Sequence, residues 1–264
     1  MASTSQRRRQ LARQRWEKQQ ARRAEAAARA RRRRQILAGV TAVAVLGASI
    51  AGVVVWSPWS GDEDVTTTTA TDESADAAAA DGSCTYTEAG TPDDAIGLPP
   101  AEPIAASTAT LTIDGKPVTM ELLSDLAPCT VSSLAHLAAS DYFDGTSCHR
   151  LTSSPGLRVL QCGDPTGSGS GGPGYEFGLE NTDGATYPAG TVAMAHRSGE
   201  PGSNGSQFFL VYEDSELPPE YTVFGHITEG LDLLADIAAQ GTADGSDDGT
   251  PKQPVTLDDL VTAA

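Results

Sequence analysis

A long uncharged stretch near the N-terminus limits how this chain can be organised. No charged residue occurs between Gln35 and Ser60, and Ile36–Trp56 alone comprises 21 residues. At a helical rise of about 1.5 Å per residue, this segment would span about 30 Å, the hydrocarbon thickness of a bilayer. The sequence therefore predicts a transmembrane helix over residues 35–56, and only the part after it has the composition of a packed core.

Charge is distributed unevenly on the two sides of this stretch. Residues 1–34 hold 13 of the 18 Lys and Arg residues and only 2 of the 35 Asp and Glu residues, whereas the whole chain has a net charge of −17. Basic residues flanking a membrane span favour its cytoplasmic side. We therefore expect a basic cytoplasmic tail over residues 1–34, a single-pass span in the cell membrane, and an extracytoplasmic C-terminal domain.

The basic tail and the apolar run admit two other interpretations. One is a cleaved signal peptide, but 34 residues is long for its charged region and no clear small-x-small cleavage site follows. The other is a nucleic-acid-binding arm. Beside a span, the arginines are explained more simply by anionic lipid, which attracts each basic residue near the surface by about 1 kcal/mol. We expect anionic membrane lipid as a partner of the tail, and no nucleic acid.

Residues 57–105 have the composition of a linker. They are rich in Asp, Glu, Thr and Ala, contain several prolines, and show no apolar periodicity. Such segments bury too little apolar surface to fold alone. An acidic, low-complexity, disordered linker over residues 57–105 is therefore expected to hold a globular domain, residues 106–264, away from the membrane.

Residues 106–264 show the pattern of a mostly β domain. Asp114-Gly115 separates two β-rich runs and is a strong signal for a two-residue hairpin. Helices are expected at Pro128–Ser140, where proline suits the first turn, and near 230–239. Strands are expected at 107–113, 116–123, 146–152, 157–162, 190–196, 207–212, 221–227 and 253–261. Many short strands with two helices predict a closed eight-stranded antiparallel β-barrel capped by two α-helices.

The four cysteines, Cys84, Cys129, Cys148 and Cys162, all follow the predicted span. An even number in an oxidising compartment usually means disulfides, and three pairings are possible. Cys148 and Cys162 lie on neighbouring predicted strands that a hairpin would bring together. This favours Cys148–Cys162 and, by elimination, Cys84–Cys129. A zinc site is the alternative, but the closely spaced cysteine pairs of structural zinc are missing, so we expect no metal.

A glycine-rich run, Gly167–Gly172, matches the G-x-G-x-x-G pattern of dinucleotide-binding loops. Such a loop must open a helix whose N–H groups face the phosphate, whereas Pro173-Gly174 follows here and would break one. We therefore expect residues 163–174 to form a surface loop, and no cofactor. The four histidines show no metal-ligand spacing, and there is no G-x-S-x-G elbow to indicate a hydrolase.

Four motifs carry a resemblance to a known family. They are Cys148-His149-Arg150, Gln161-Cys-Gly-Asp164, Gly202-Ser-Asn-Gly-Ser-Gln-Phe-Phe-Leu210 and Tyr221-Thr-Val-Phe-Gly225. With these motifs, residues 106–264 resemble a cyclophilin, a member of a family of peptidyl-prolyl cis/trans isomerases. The resemblance implies that Arg150 acts on the prolyl amide, that Gln161 orients the peptide, and that Phe209 forms the floor of a proline pocket.

The resemblance also implies the residues that surround the proline. This chain has about three more residues between Arg150 and Gln161 than eukaryotic members have, so Val159 is our choice for the pocket wall and Leu157 our second. Further implied substrate-binding residues are Met194, Ala195, His196, Leu217 and Tyr221. His196 stands where many members have asparagine, and Tyr221 is similar to the bacterial branch.

One departure from the family pattern concerns a drug. The pocket tryptophan of many eukaryotic members is missing, and Glu216-Leu217 occupies the matching place. Because that ring contributes to cyclosporin binding in the family, weak cyclosporin binding is expected.

The implied reaction breaks no σ bond. Rotating an X–Pro amide means overcoming a barrier of about 18–20 kcal/mol that arises from partial double-bond character. Catalysis needs only an apolar pocket that binds the proline ring and hydrogen-bond donors that favour the twisted amide. We expect an enzyme that isomerises X–Pro bonds of unfolded or exported polypeptides and so assists their folding. The alternative, which the changes at 153–159 and His196 leave open, is a catalytically weak module that binds proline-containing segments.

Overall fold

The computed structural model describes residues 82–90 and 96–264. The predicted basic tail (1–34), the predicted transmembrane helix (35–56) and much of the predicted linker lie outside these residues. Among the helices that the described ranges contain, none is both long enough and apolar enough to cross a bilayer.

The described part of the chain is mostly β-structure, as predicted. Its helices are α1 (Pro128–Ala139) and α2 (Leu231–Ala239). Its strands are β1 (Thr87–Glu88), β2 (Thr108–Ile113), β3 (Lys116–Leu122), β4 (Thr146–Ser147), β5 (Arg150–Thr152), β6 (Val159–Cys162), β7 (Tyr175–Glu176), β8 (Thr191–Met194), β9 (Phe208–Val211), β10 (Val223–Glu229), β11 (Asp248–Gly249) and β12 (Thr256–Ala263).

Ten of these strands form one antiparallel sheet in the order β11-β5-β6-β9-β8-β10-β3-β2-β12-β4, and β1 pairs with β7 separately. The sheet curls, because β4 at one end and β5 near the other are separated in the chain only by Cys148 and His149. The predicted closed, eight-stranded barrel is therefore corrected to a curled ten-stranded sheet. The predicted strand 146–152 is broken into two, and β11 is too short to leave a sequence pattern.

The hairpin of β2 and β3 forms where the sequence predicts it. Asp114 has a φ of 47° and Gly115 a φ of 76°, the left-handed conformation that both central residues of a type I′ turn require. Ile113 pairs with Lys116, so the two-residue turn sets the register. With that register, Leu111 and Ile113 point into the core.

The main hydrophobic core lies between the curled sheet and α1. The helix begins at Pro128, whose missing N–H costs nothing in the first turn. Most of its side chains are buried, because residues 82–90 pack on it as well as the sheet: the Tyr86 hydroxyl donates to the Cys129 carbonyl at 2.8 Å. The large, fully buried side chains of this core include Leu111, Ile113, Met120, Leu137, Phe143, Leu151, Leu160, Phe208, Leu210 and Phe224.

Residues 82–90, which composition assigns to the linker, are packed on the domain. β1 pairs with β7, and the Tyr86 ring packs edge-on against Tyr175 and Phe177 with 5.6 Å between ring centroids in each pair. Cys84 is disulfide-bonded to Cys129. The other favoured disulfide, Cys148–Cys162, is also present. This part of the predicted linker is thus an ordered edge of the domain.

A buried carboxylate closes the N-terminus of α1. Glu180, only 8% exposed, follows β7 in the chain. It accepts hydrogen bonds from the Cys129 N–H at 3.0 Å and from both the N–H and the hydroxyl of Thr130 at 2.7 Å. These donors belong to the first helical turn, which has no intrahelical acceptors for them. The N-cap residue, Ala127, offers no side-chain hydrogen bond, so Glu180 supplies the cap from a distant loop.

Removing this carboxylate should destabilise the domain. We expect Glu180→Ala to lower the free energy of unfolding by about 2–3 kcal/mol, because it leaves buried donors unpaired at a helix N-terminus. Denaturant unfolding of the full-length chain measures the change. Glu229→Ala, at an exposed position, is the matched control and should change stability by less than about 0.5 kcal/mol. Equal losses for both variants would contradict the capping role.

The same group should make stability depend on pH. Burial raises the pKa of the Glu180 carboxyl above its usual 4.5, outweighing the hydrogen bonds from Thr130 and Cys129 that favour the charged form. The folded state then holds the proton more tightly than the unfolded chain does. The resulting stabilisation is full below pH 4.5 and is lost as the pH rises through the raised pKa. Over that range, wild-type stability should decline relative to Glu180→Gln; parallel pH profiles would contradict this assignment.

Candidate active site

Adjacent strands bring the three predicted catalytic residues together. Arg150 of β5 pairs with Gln161 of β6, and Gln161 pairs with Phe209 of β9. Directly paired residues project from the same face of a sheet, with Cβ atoms about 4.5–5.5 Å apart. The pairing of Phe209 with Ala193 of β8 continues the row. A guanidinium, an amide and an aromatic ring therefore stand side by side, and we call Arg150, Gln161 and Phe209 the cross-strand row.

Phe209 lies in a second apolar cluster, separate from the main core, which we call the outer cluster. On β9, Phe209 and Val211 belong to it. Phe208 and Leu210 belong to the main core, as the two-residue period of a strand requires. The buried members of the outer cluster are Val159, Tyr187, Ala193, Phe209, Val211 and Val223, and the half-buried ones are Leu123, Leu157, Ala185, Ala195, Leu217 and Tyr221.

The outer cluster contains five of the residues predicted to bind substrate: Val159, Leu157, Ala195, Leu217 and Tyr221. Val159 is buried and pairs with Val211, whereas Leu157 and Leu217 are partly exposed at its edge. Both candidates for the pocket wall, Val159 and Leu157, thus belong to the same cluster. Their roles in substrate binding remain predictions.

The structure contradicts the predicted place of Met194. This residue pairs with Phe208 rather than Phe209, and its side chain, 4% exposed, packs in the main core. Its neighbour Ala193 faces the outer cluster instead. The prediction is wrong because consecutive residues of a strand point to opposite faces of the sheet.

His196 lies at the rim of the outer cluster. Its ring stacks on Tyr221 with centroids 4.7 Å apart, and the Tyr221 ring in turn meets Phe209 edge-on at 5.5 Å. The His196 Nδ1 lies 3.0 Å from the Arg197 carbonyl oxygen, and Nε2 lies 2.8 Å from that of Glu220. These contacts hold the imidazole against Tyr221, so the structure brings His196 to the predicted site.

A chain of side-chain hydrogen bonds runs from the cross-strand row to the glycine-rich loop. Arg150 Nη1 donates to Gln161 Oε1 at 3.2 Å, and Gln161 Nε2 donates to Gln207 Oε1 at 2.8 Å. Gln207 Nε2 then donates to the carbonyls of Gly169 and Gly171 at 3.1 and 2.9 Å. Both amides are therefore held in defined orientations.

A polar cleft of about 400 Å³ opens beside Arg150. Here Arg150 donates from Nε and from Nη2 to the two carboxylate oxygens of Asp248, each at 2.7 Å. This contact raises the pKa of Arg150 and lowers that of Asp248. The guanidinium thus stays charged at the meeting point of the cleft and the row. The residues lining the cleft are His149, Arg150, Gln161, Ser168, Gly169, Asp248, Gly249 and Thr250.

Comparison with known families identifies the domain. A family model described as cyclophilin type peptidyl-prolyl cis-trans isomerase/CLD matches residues 108–262. The chain belongs to the cyclophilin family. The match includes all twelve residues of the outer cluster and the whole cross-strand row.

Curated cyclophilins are similar over the same region. A probable peptidyl-prolyl cis-trans isomerase B of Mycobacterium tuberculosis is 46% identical over 174 residues, which is 61% of this chain and 56% of that protein. A relative of the same description from Mycobacterium leprae is 48% identical over 177 residues, 62% of this chain and 59% of that protein. The chain therefore matches little more than half the length of these relatives. Peptidyl-prolyl cis-trans isomerase B of Bacillus subtilis is 41% identical over 128 residues, 47% of this chain and 85% of that protein.

A solved structure shares the fold. A cyclophilin type peptidyl-prolyl cis-trans isomerase of Cryptosporidium parvum, crystallised in the presence of the dipeptide Ala-Pro, matches with a TM-score of 0.52 and 27% identity. The match covers 60% of this chain and 99% of that one. The curled sheet and two helices are therefore those of a cyclophilin.

The glycine-rich loop of this cyclophilin surrounds a carboxylate of its own. Asp164 is fully buried and accepts from the backbone N–H groups of Thr166 and Gly169 at 2.6 Å and of Gly171 at 3.1 Å. Burial alone would raise the pKa of Asp164, but hydrogen bonds from Thr166, Gly171 and Gly169 outweigh it and lower the pKa. A Cβ at position 171 would lie 2.1 Å from Asp164 Oδ1, so this position requires glycine. The glycines of this loop thus allow backbone N–H groups to bind the Asp164 carboxylate of the protein itself.

Two further residues contact the predicted site residues and carry no signal in the sequence. Tyr187, almost fully buried in the outer cluster, donates its hydroxyl to the Tyr221 carbonyl at 3.1 Å and accepts from the Tyr221 N–H at 3.0 Å, and its ring centroid lies 6.3 Å from that of Phe209. Asp248 contacts Arg150 from a position 98 residues away in the chain. Both lie outside the four family motifs and in segments without strand or helix periodicity, so no local signal marks them.

Proposed function

We propose that this protein is a peptidyl-prolyl cis/trans isomerase. The observation that carries the proposal is the cross-strand row, in which Gln161 lies between Arg150 and Phe209 and Phe209 belongs to the apolar outer cluster. The descriptions of the mycobacterial and Bacillus subtilis relatives support the same reaction.

The chemistry follows from what the row offers to a proline peptide. The outer cluster takes the proline ring, because it is apolar and its members Leu157, Leu217 and Tyr221 are partly exposed. Twisting the X–Pro bond out of its plane localises the lone pair on the proline nitrogen, which then accepts a hydrogen bond better than in either planar form. Arg150 is the charged donor of the cross-strand row and donates to this nitrogen. The twisted amide is therefore bound more tightly than the planar cis or trans form, which lowers the barrier to rotation.

The substrate class is proline-containing polypeptide in unfolded or exported proteins. The related Cryptosporidium parvum cyclophilin was crystallised in the presence of Ala-Pro, which supports an X–Pro ligand. The partly exposed rim formed by Leu157, His196 and Tyr221 lets an extended chain continue beyond the proline.

We further propose that the domain works outside the cell membrane, tethered by the span over 35–56 and with the basic tail at anionic lipid on the cytoplasmic side. The charge distribution and the uncharged run support this topology. Two disulfides are typical of an oxidising compartment. Protease added outside intact cells should digest the domain while residues 1–34 stay protected, and digestion only after cell lysis would overturn the topology.

The function is tested with a proline-isomer assay on the full-length chain. Acceleration of cis-to-trans conversion in a proline tetrapeptide supports the proposal. Binding of the same peptide without measurable acceleration favours the alternative, a module that captures proline-containing segments. A protein that neither binds the peptide nor accelerates its isomerisation would contradict both the isomerase and the binding module.

Cyclosporin should bind weakly. Glu216, in the place of the tryptophan of many eukaryotic members, is exposed and charged and offers no flat apolar ring. We expect Glu216→Trp to tighten cyclosporin inhibition by about tenfold, because a buried aromatic contact contributes on the order of 1–2 kcal/mol. Glu220→Trp, at another exposed position of the same loop, is the control. Equal inhibition of wild type and Glu216→Trp would contradict the prediction.

A further inference from the structure

We propose that Asp248 is a positioning residue for Arg150, holding the guanidinium in the orientation that the reaction needs. The proposal rests on the proposed isomerase function, because the orientation matters only if Arg150 acts on the peptide.

The contact is a side-on, two-point ion pair. Nε and Nη2 of Arg150 each donate to a different oxygen of Asp248 at 2.7 Å, and Nη1 donates to Gln161 at 3.2 Å. A guanidinium carries five N–H donors in one plane. Three are thus engaged, and one N–H on each terminal nitrogen is left for a ligand. Two oxygens on one edge fix the plane as well as the position of the group.

The loop that carries Asp248 is itself held in place. β11 pairs with β5, the strand of Arg150, and the Asp247 carbonyl accepts from the Ser153 N–H at 2.8 Å. The Ser246 hydroxyl donates to the Asp248 carbonyl at 2.8 Å, while the Ser246 N–H donates to the Asp244 carboxylate at 3.0 Å. The Asp248 carboxylate therefore extends from an anchored backbone.

This anchoring separates the pair from an ordinary surface ion pair. Arg150 and Asp248 are 39% and 51% exposed, and flexible pairs at such exposure contribute little. Here two hydrogen bonds join Arg150 to Asp248, and the backbone of Asp248 is held in place. Without Asp248, Arg150 keeps only the longer Gln161 contact as a side-chain anchor among the described residues, so the guanidinium can rotate out of the row. The effect should therefore fall on turnover rather than on folding.

A double-mutant cycle on the full-length chain tests the inference. Asp248→Asn should lower kcat/KM for a proline tetrapeptide about tenfold, mainly through kcat, since small misplacement of a reacting group is costly. In an Arg150→Ala background, the same change should have almost no effect, because its target is gone. Asp247→Asn is the matched control, with the same change of charge one residue away, and should keep wild-type turnover. The thermal midpoint should be unchanged in both single variants.

Three kinetic outcomes would overturn the proposal. They are unchanged or faster turnover in Asp248→Asn, an equal loss in Asp247→Asn, and a loss that persists in the Arg150→Ala background. A loss that comes with a lowered thermal midpoint would assign Asp248 to stability instead.

A second readout does not depend on activity. In ¹H–¹⁵N spectra, the Arg150 Nε–H should exchange slowly with water in wild type and rapidly in Asp248→Asn. Unchanged exchange would show that Asp248 does not hold the guanidinium, even if the wild-type chain proved inactive. If the wild-type chain were inactive but the exchange rate changed as expected, the isomerase function would be wrong, while the role of Asp248 in holding Arg150 would be confirmed.

Discussion

Arg150→Ala is expected to lower kcat/KM for a proline tetrapeptide by about 10²–10³-fold, which corresponds to about 2.7–4 kcal/mol of lost transition-state stabilisation. The guanidinium is the charged donor of the cross-strand row, in which Gln161 separates it from Phe209, and alanine leaves only the neutral amide of Gln161 as a donor there. Most of the loss should be in kcat, because the variant leaves unchanged the outer cluster that we propose binds the proline ring. Arg150 is half-exposed, so folding should be unaffected.

The control for this variant is Arg158→Ala. Arg158 also lies next to β6 and forms an ion pair, but its partner is Glu213 at 3.1 Å. Its loss should change kcat/KM by less than about twofold, in line with the small energies of exposed pairs. Turnover close to wild type in a folded Arg150→Ala protein would remove Arg150 from the proposed mechanism. The same loss in both variants would point to overall charge rather than to the row.

Removal of the Cys84–Cys129 disulfide is expected to cost about 4 kcal/mol of unfolding free energy, because in the chain-entropy model that is the contribution of a closed loop of 45 residues. The bond joins residues 82–90 to the first turn of α1, beside the Glu180 cap. The double variant Cys84→Ala/Cys129→Ala should therefore unfold at lower denaturant concentration. It should still isomerise proline peptides, since the cross-strand row lies elsewhere.

The second disulfide provides the comparison. Cys148–Cys162 closes a loop of only 14 residues, for which the same model gives about 3 kcal/mol. It joins the residue after β4 to the last residue of β6, and these cysteines lie close in sequence to Arg150 and Gln161. Because its loss should disturb the cross-strand row, Cys148→Ala/Cys162→Ala should also reduce turnover. A larger stability loss for this pair than for Cys84–Cys129 would contradict the loop-length explanation.

Much of the fold could be predicted because its signals are local. The Asp114-Gly115 turn, the proline at the start of α1, the β-rich alternating runs of β2 and β3 and the apolar run of β9 each depend on residues a few positions apart. The strand count could not be predicted. Two-residue strands such as β4 and β11 have no periodicity of their own, and they form only because neighbouring strands offer free backbone groups.

The candidate site likewise contains residues that the sequence predicts and residues that it does not. Arg150, Gln161 and Phe209 were predicted by motif resemblance, and the register of three strands places them side by side. Met194 was misplaced, because resemblance names positions without stating which face of the strand each one occupies. Tyr187 was missed, because its contacts with Phe209 and Tyr221 come from a loop without periodic pattern.

The amino-acid sequence is sufficient to predict the β-rich class of the domain, its two helices, the family and the residues of the cross-strand row, since these depend on short-range pattern and on motifs. Contacts between distant residues are visible only in the three-dimensional fold: Asp248 beside Arg150, Glu180 at the N-terminus of α1, and residues 82–90 packed on the domain. The physical reason is that such contacts arise only when the sheet curls and brings segments tens of residues apart within hydrogen-bonding distance. No local pattern encodes that closure.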